Sequence, residues 1–509
     1  MKGLMDEATK RLDAFFKPNS VAVVGATKKI DKAGHVIFKN FVDNKTRQVF
    51  KGEIYAVNPN EDSILGVKCY PTITKIPSEV ESVVIVVPAD IVPKIMEEAA
   101  AKKVKTAVII SAGFGEVGNH ELEKQVASIA KEADIRVLGP NCLGVYDSRT
   151  GVDMLFLPET KILTTGDEVV ATPRPIPGNV AIVTQSGAFG AAALDYLAGL
   201  HTGVSKFVSF GNKIDVDEAE MLHYLVYDQE TNVILLYVED IKSGRKFLKA
   251  AEEITKKKPV VALKSGRTEA GARAAASHTG AIAGSDQIYD AAFQQTGILR
   301  SKDMDEFFHA GKALAMQVPA KGKNVGVITD AGGPGIMAVD ECILKGLTVK
   351  RFSEKTIEEF EKLKADGKLP KFATNFNPVD VTGSGTSEML ELATEILFQD
   401  SEIEGIIMLG LHHTPALQED YVDKVAKIAS KYEKPMVACD IGETEMALNI
   451  RERFDKLSIP AYSSPEDAAR AMNALARYGL YLQKKQCLRE YTENFQQNKR
   501  KRYGVKAQS

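Results

Sequence analysis

Histidine is scarce in this 509-residue chain, eight in all, and His278 stands in a setting unlike the others. It lies in Gly271-Ala-Arg-Ala-Ala-Ala-Ser-His-Thr-Gly-Ala-Ile-Ala-Gly-Ser285, where nearly every neighbour is Ala, Gly, Ser or Thr. A structural histidine packs among large apolar side chains, whereas a run of small residues predicts an accessible imidazole on a loop free to move. Near pH 7 a useful fraction of imidazole is neutral, so one ring nitrogen can act as a nucleophile toward phosphorus. The other nitrogen then needs an acceptor that fixes the tautomer. Glu239 is the candidate, because it ends the apolar run Val233-Ile-Leu-Leu-Tyr-Val and would place a carboxylate at a sheet edge. The competing reading of Glu239 is an ordinary strand-end acid paired with Lys242.

A phosphorylated imidazole must also have its new charge met. Thr184-Gln-Ser186-Gly187-Ala188 joins a strand pattern to a helix pattern and can aim unpaired N–H groups and the positive helix end at a phosphate. Ser277, Thr279 and Gly280 are expected to add a second helix start near Ala281, with the two hydroxyls as N-caps. The remaining histidines lack such company. His412-His413 follows a strand with no acid or cysteine at ligand spacing and reads as strand-end surface, so no metal site is expected. His35, His120, His201, His223 and His309 lie in mixed or helical contexts.

The elements that must position these residues come as three stretches of alternating short β-rich runs and helical patterns, the mark of doubly wound α/β domains. The first, residues 1–146, has strand candidates at 20–24, 53–57, 82–87, 106–111 and 136–138. Residues 147–179 lack an amphipathic period and include Ala171-Thr-Pro-Arg-Pro-Ile-Pro-Gly178, which reads as a stiff extended connector. The second α/β stretch covers 180–317 and the third 322–482. Val180–Asp195 aligns without gaps on Val325–Asp340, sharing Val, Thr, two Gly, Ala and Asp, so the last two domains are read as a related pair. Residues 483–509 are polar, carry a Lys-Arg-Lys-Arg run, and read as a solvated basic tail.

In the first domain Val21-Ala-Val-Val-Gly25-Ala26-Thr27 is a strand entering a glycine turn suited to a phosphate. The full dinucleotide fingerprint is absent, and the second strand ends Asn58-Pro59-Asn60 where an NAD site would carry an acid, which argues against a dehydrogenase. Later strand ends, Val87-Pro88, Ser111-Ala-Gly113 and Gly139-Pro-Asn141, are also small or turn-forming, as at a ligand edge. With 65 basic and 68 acidic residues, net charge −3, nothing in the whole-chain charge points to nucleic acid or an anionic membrane. Five scattered cysteines and the absence of an apolar signal core or 18-residue apolar run fit a cytoplasmic protein.

On Gly139-Pro-Asn-Cys-Leu-Gly144, Thr184-Gln-Ser-Gly-Ala188 and Ala276-Ser-His-Thr-Gly280, supported by Gly332-Gly-Pro-Gly335 and Asn377-Pro-Val-Asp380, the chain resembles the α subunits of ADP-forming (more broadly NDP-forming) acyl-CoA synthetases, relatives of succinyl-CoA synthetase. The resemblance runs from about residue 10 to 480. It implies an α/β fold in which a Rossmann-like CoA-binding domain is followed by two flavodoxin-like domains. It implies His278 as phosphorylated nucleophile and Glu239 as its partner. It places Gly25, Ala26, Thr27, Asn58, Pro59, Val87, Pro88, Ser111, Gly113 and Asn141 at the turns that meet coenzyme A, a substrate. The family's ATP-grasp module has no counterpart here, so the resemblance implies a separate β subunit carrying ADP or ATP with Mg2+, commonly in an α2β2 assembly. The reaction implied is acyl-CoA, phosphate and ADP to acid, CoA and ATP. A non-catalytic CoA-binding regulatory protein of the same fold is the alternative, and retention of both Glu239 and His278 speaks against it.

Overall fold

The computed structural model describes residues 7–279 and 285–503, with only the backbone of residues 7–8, 275–279 and 501–503. The chain divides into two units, residues 1–300 and 301–509.

Short aliphatic runs such as Ser20–Val24 are buried along their whole length, as strands covered by helices on both faces must be. In the first unit β1 (Ser20–Val24), β2 (Glu53–Val57), β3 (Ser63–Ile64), β4 (Val67–Tyr70), β5 (Ser82–Ile85), β6 (Thr106–Ile109) and β7 (Arg136–Leu138) form one sheet in the order β3-β4-β2-β1-β5-β6-β7. Every pairing is parallel except β3 with β4. Without the short β3 this is the dinucleotide-fold order, whose direction reverses between β1 and β5.

Residues 147–179 hold more structure than a stiff connector. The strands β8 (Val145–Asp147) and β9 (Val152–Asp153) form an antiparallel pair, and β10 (Thr160–Ile162) with β11 (Glu168–Val170) a separate hairpin. Within this segment Asp147 and Asp153 are buried against Lys206 (3.1 Å) and Arg174 (2.6 Å), pairings that sequence periodicity does not reveal. The second sheet continues with β12 (Pro177–Thr184), β13 (Val204–Ser209), β14 (Val233–Val238), β15 (Val260–Lys264) and β16 (Leu299–Ser301), in the order β16-β15-β14-β12-β13-β8-β9. Counted from β12 the strands β12 to β16 run 2-1-3-4-5, the flavodoxin order. In the other unit β17 (Val325–Thr329), β18 (Val379–Asp380), β19 (Gly405–Gly410), β20 (Met436–Asp440) and β21 (Ala461–Tyr462) repeat it as β18-β17-β19-β20-β21, all parallel. The chain is therefore a Rossmann-like domain followed by two flavodoxin-like ones.

The internal sequence match has a physical basis at the first turn of each flavodoxin-like sheet. Thr184 Oγ1 donates to the Ser186 carbonyl at 2.9 Å, and Thr329 Oγ1 donates to the Ala331 carbonyl at 2.8 Å. Six residues after each threonine stands a glycine, Gly190 or Gly335, whose Cβ would lie 3.0 or 2.9 Å from that threonine's methyl. The helix crosses its strand too closely there for any side chain. Both helices, Gly187–Gly199 and Gly332–Leu344, have 13 residues.

Two expectations about local structure fail. The segment read as a mobile loop is helical over Glu269–Thr279, because Ala, Glu and Arg favour helix more strongly than smallness favours a loop. The basic tail is also helical, over Leu488–Tyr503, and its Tyr491 and Phe495 are buried, with the Tyr491 ring 5.2 Å from that of Tyr478. Among the described residues no helix is long and apolar enough to cross a membrane.

Candidate active site

Ligands in open parallel sheets bind beyond the carboxyl ends of the strands where the strand order reverses. In the first sheet that point lies between β1 and β5, and in the second between β12 and β14. The residues beyond β5, β12 and β14 line one cavity of about 930 Å³. Val87, Pro88, Ser111 and Asn141 line it from the first sheet, and Ser186, Gly187, Ala188 and Glu239 from the second. Eight of the sequence-predicted site residues thus share a single space.

The turn after β1 is built for close approach. Gly25 has φ +92°, and a Cβ there would lie 2.2 Å from the Val86 carbonyl oxygen. The Asn58 side chain donates to the Ala26 carbonyl at 2.8 Å, tying the ends of β1 and β2 together. His35 Nδ1 lies 2.9 Å from the Thr27 carbonyl and braces the same turn, a role its sequence context did not suggest. Gly25, Ala26, Thr27, Asn58, Pro59 and Gly113 are not among the residues that line the cavity. Gly113 gives its N–H to Glu116 Oε1 at 2.5 Å, so that donor is already committed. Ser111 is a brace as well: its hydroxyl donates to the Val87 carbonyl at 2.5 Å and accepts the Val87 N–H at 3.2 Å.

Across the cavity, Ser186 caps the helix Gly187–Gly199, its Oγ accepting the Phe189 N–H at 3.2 Å. The first N–H groups of any helix have no partner within it, and Gly187 and Ala188 line the cavity at that end. Phe189 stacks on Tyr237 at 4.1 Å between ring centres. Burial pushes the Tyr237 phenol up, so it stays protonated and donates to Glu239 Oε1 at 3.4 Å. Lys242 does not serve Glu239 in the way the competing reading supposed; its ammonium donates to the Asn212 carbonyl at 2.7 Å.

Several contributors escaped the sequence reading. Asp240, next to Glu239, is held by the buried Lys213 at 3.1 Å, and Lys213 also meets Glu218 at 3.4 Å. Gln185 binds the backbone of both acids. Glu116 and Glu123 share the Asn212 amide at 2.6 and 2.8 Å. Burial works against charge on Glu116, but the Gly113 N–H, the Asn212 amide and the Phe114 N–H outweigh it and hold the carboxyl below its ordinary value. The signal for Gln185 was its place inside Thr184-Gln-Ser186; Lys213 and Asn212 follow β13 as Gly211-Asn-Lys, a plain turn by sequence.

The side chains of Ser277, His278 and Thr279, and the whole of Gly280, lie outside the described residues. The backbone of Ser277, His278 and Thr279 lies within the helix Glu269–Thr279, and a further helix, Asp286–Thr296, starts from Ser285. The second helix start expected near Ala281 lies outside the described residues.

The side chain of His412, read as strand-end surface, is only 7% exposed, with Nδ1 2.5 Å from Asp440 Oδ1. Among the described residues no group of three or more His, Cys, Asp or Glu could hold a metal ion.

The family of CoA binding domains matches residues 19–148, that of succinyl-CoA ligase like flavodoxin domains 177–314, and that of Ligase-CoA domains 325–479. The chain is 37% identical over 473 residues to the α subunit of ADP-forming acetate–CoA ligase II of Pyrococcus furiosus, a match covering 92% of this chain and 97% of that one. The chain belongs to the ADP-forming acyl-CoA synthetase family. It is also 37% identical over 484 residues to an ADP-forming acetate–CoA ligase of Methanocaldococcus jannaschii, and spans 65% of that protein's length. A solved family structure, the dinucleotide forming acetyl-coenzyme A synthetase 1 of Ca. Korarchaeum cryptofilum in complex with phosphate and ADP, superposes with a TM-score of 0.83 at 34% identity, covering 93% of this chain and 98% of that one.

Proposed function

We propose that this chain is the α subunit of an ADP-forming acyl-CoA synthetase, converting acyl-CoA, phosphate and ADP reversibly to acid, CoA and ATP. The observation that carries the proposal is the shared cavity. One space of about 930 Å³ meets the turns suited to CoA, a helix start suited to phosphate, and a carboxylate suited to an imidazole.

Phosphate attacks the thioester carbonyl, a C–O bond forms, the C–S bond breaks, and CoA leaves as thiolate. His278 then attacks phosphorus of the acyl phosphate, and the carboxylate leaves. Finally the N–P bond breaks as ADP takes the phosphoryl group. Ser186, Gly187 and Ala188 meet the phosphate charge with the helix start. Glu239 accepts from the far nitrogen of His278 and stabilises the phosphorylated ring. Val87, Pro88 and Asn141 bound the CoA side, where Gly25 to Thr27 and Asn58-Pro59 complete the turns.

The nucleotide, with Mg2+, binds an ATP-grasp β subunit on a second chain, in an α2β2 assembly. The near-complete match to a relative named as an α subunit supports this arrangement. The substrate is a small carboxylic acid and the setting cytoplasmic.

The test is ATP formation from acetyl-CoA, ADP and phosphate with an ATP-grasp β subunit present. Wild type turns over and His278→Ala does not. Equal turnover in the two overturns the proposal.

A further inference from the structure

We infer that Gln185 is a positioning residue that fixes the direction of the Glu239 carboxylate. The inference rests on the reading that Glu239 serves the phosphorylated histidine.

β14 ends at Val238, where its sheet pairing stops, and the two residues beyond are both acids that line the cavity. Successive residues of an extended strand end can rotate, and without a neighbour their N–H groups have no sheet partner. The Gln185 side chain replaces that neighbour. Its Oε1 accepts the N–H of Glu239 and, at 2.9 Å, the N–H of Asp240, while Nε2 donates to the Asp240 carbonyl at 2.6 Å. Three backbone groups of one dipeptide are thus held by one amide. Gln185 as a whole is buried, 8% exposed, and its backbone N–H donates to the Tyr237 carbonyl at 3.4 Å. With the peptide fixed, Lys213 takes Asp240 at 3.1 Å, and the Glu239 carboxylate meets the Tyr237 hydroxyl on the cavity side.

The related domain shows why the residue is an amide. Asp330 occupies the aligned position after β17, and its Oδ1 accepts the Leu411 N–H beyond β19 at 3.0 Å, the same bond in the same place. There the two residues beyond the strand are Leu411 and His412, so the peptide that the carboxylate clamp holds carries no acid. At position 185 a carboxylate would face Glu239, Asp240 and the Asp240 carbonyl, and it could not donate to the last. A neutral group with both donor and acceptor fits both requirements.

A residue acting through Glu239 has nothing left to lose once Glu239 is gone. The experiment is a double-mutant cycle on Gln185→Leu and Glu239→Gln in the full chain with its β subunit. It reads the initial rate of protein labelling from radioactive inorganic phosphate and acetyl-CoA. Each single variant is expected to slow labelling by at least about tenfold, and the double variant to match Glu239→Gln within about twofold. Multiplicative losses with Glu239→Gln itself impaired would overturn the positioning role alone. A wild-type rate in Q185L does the same. A wild-type rate in E239Q removes Glu239 from the chemistry and this inference with it. If Q185L does not fold, Gln185→Glu, which keeps the chain length and the accepting oxygen, goes through the same cycle with the same criteria.

Discussion

Adjacent acids at the end of β14 have different surroundings. Asp240 is neutralised by a buried lysine, while Glu239 keeps a phenol as partner and faces the cavity. Residue type and strand-end position made Glu239 legible; its neighbours were not, because Gln185 and Lys213 act through bonds to backbone and buried charge that leave no periodic trace. The glycine turn after β1 was legible for the opposite reason, since a glycine at a strand end often signals a positive φ. Gly25→Ala should cost about 2 kcal/mol or more, because its Cβ would enter the Val86 carbonyl and its φ is +92°. Urea unfolding should show that loss and a CoA titration weaker binding; wild-type values in both would refute this account of the turn. Asp330 supplies a prediction with pH. Burial pushes its carboxyl up to about 6, against hydrogen bonds from Thr414 and the Leu411 N–H. Between pH about 4 and 6 the unfolded chain releases this proton while the folded one keeps it, so stability falls as pH rises, by an amount on the order of 3 kcal/mol. Asp330→Asn has no such proton, so its melting temperature relative to wild type should climb across that window and then level. Parallel curves would contradict it.

At the scale of elements, the strands followed their aliphatic runs closely, but two segments read as irregular proved helical. Small residues around His278 suggested a loop, yet alanine is the strongest helix former, and the helix runs through Thr279. The polar tail misled in another way. Its mean composition is hydrophilic, but Tyr491 and Phe495, four residues apart, fall on one helical face and are buried. Four apolar or aromatic residues, Leu488, Tyr491, Phe495 and Tyr503, are too few in a 16-residue segment to outweigh its charge in any average. Tyr491→Ala should therefore destabilise the C-terminal unit by about 3 kcal/mol, read as a lower thermal midpoint for residues 301–509. An unchanged midpoint would mean the helix is not docked. Ser186→Ala removes a helix cap at the cavity and should cost about 1 kcal/mol while raising the phosphate concentration needed for half-maximal turnover. Unchanged phosphate dependence would remove that helix start from the phosphate site.

For the whole molecule, three α/β domains, the last two sharing one strand order and one threonine–glycine packing rule, include a cavity where sheets of this kind bind ligands, at the reversal of strand order. The domain order was readable because each strand carries its own signal. The joining of β8 and β9 to the second sheet was not, since it depends on buried ion pairs made by residues far apart in the sequence. The central claim is that the cavity between Ser186 and Glu239 makes an acyl phosphate and that His278 receives its phosphoryl group. The most direct test is to incubate the wild-type chain with its β subunit, acetyl-CoA and radioactive inorganic phosphate, digest it under alkaline conditions, and locate the label. The account predicts acid-labile, base-stable label on the peptide containing His278, dependent on acetyl-CoA and absent from His278→Ala. Label on another residue, or on His278 without acetyl-CoA, would contradict it.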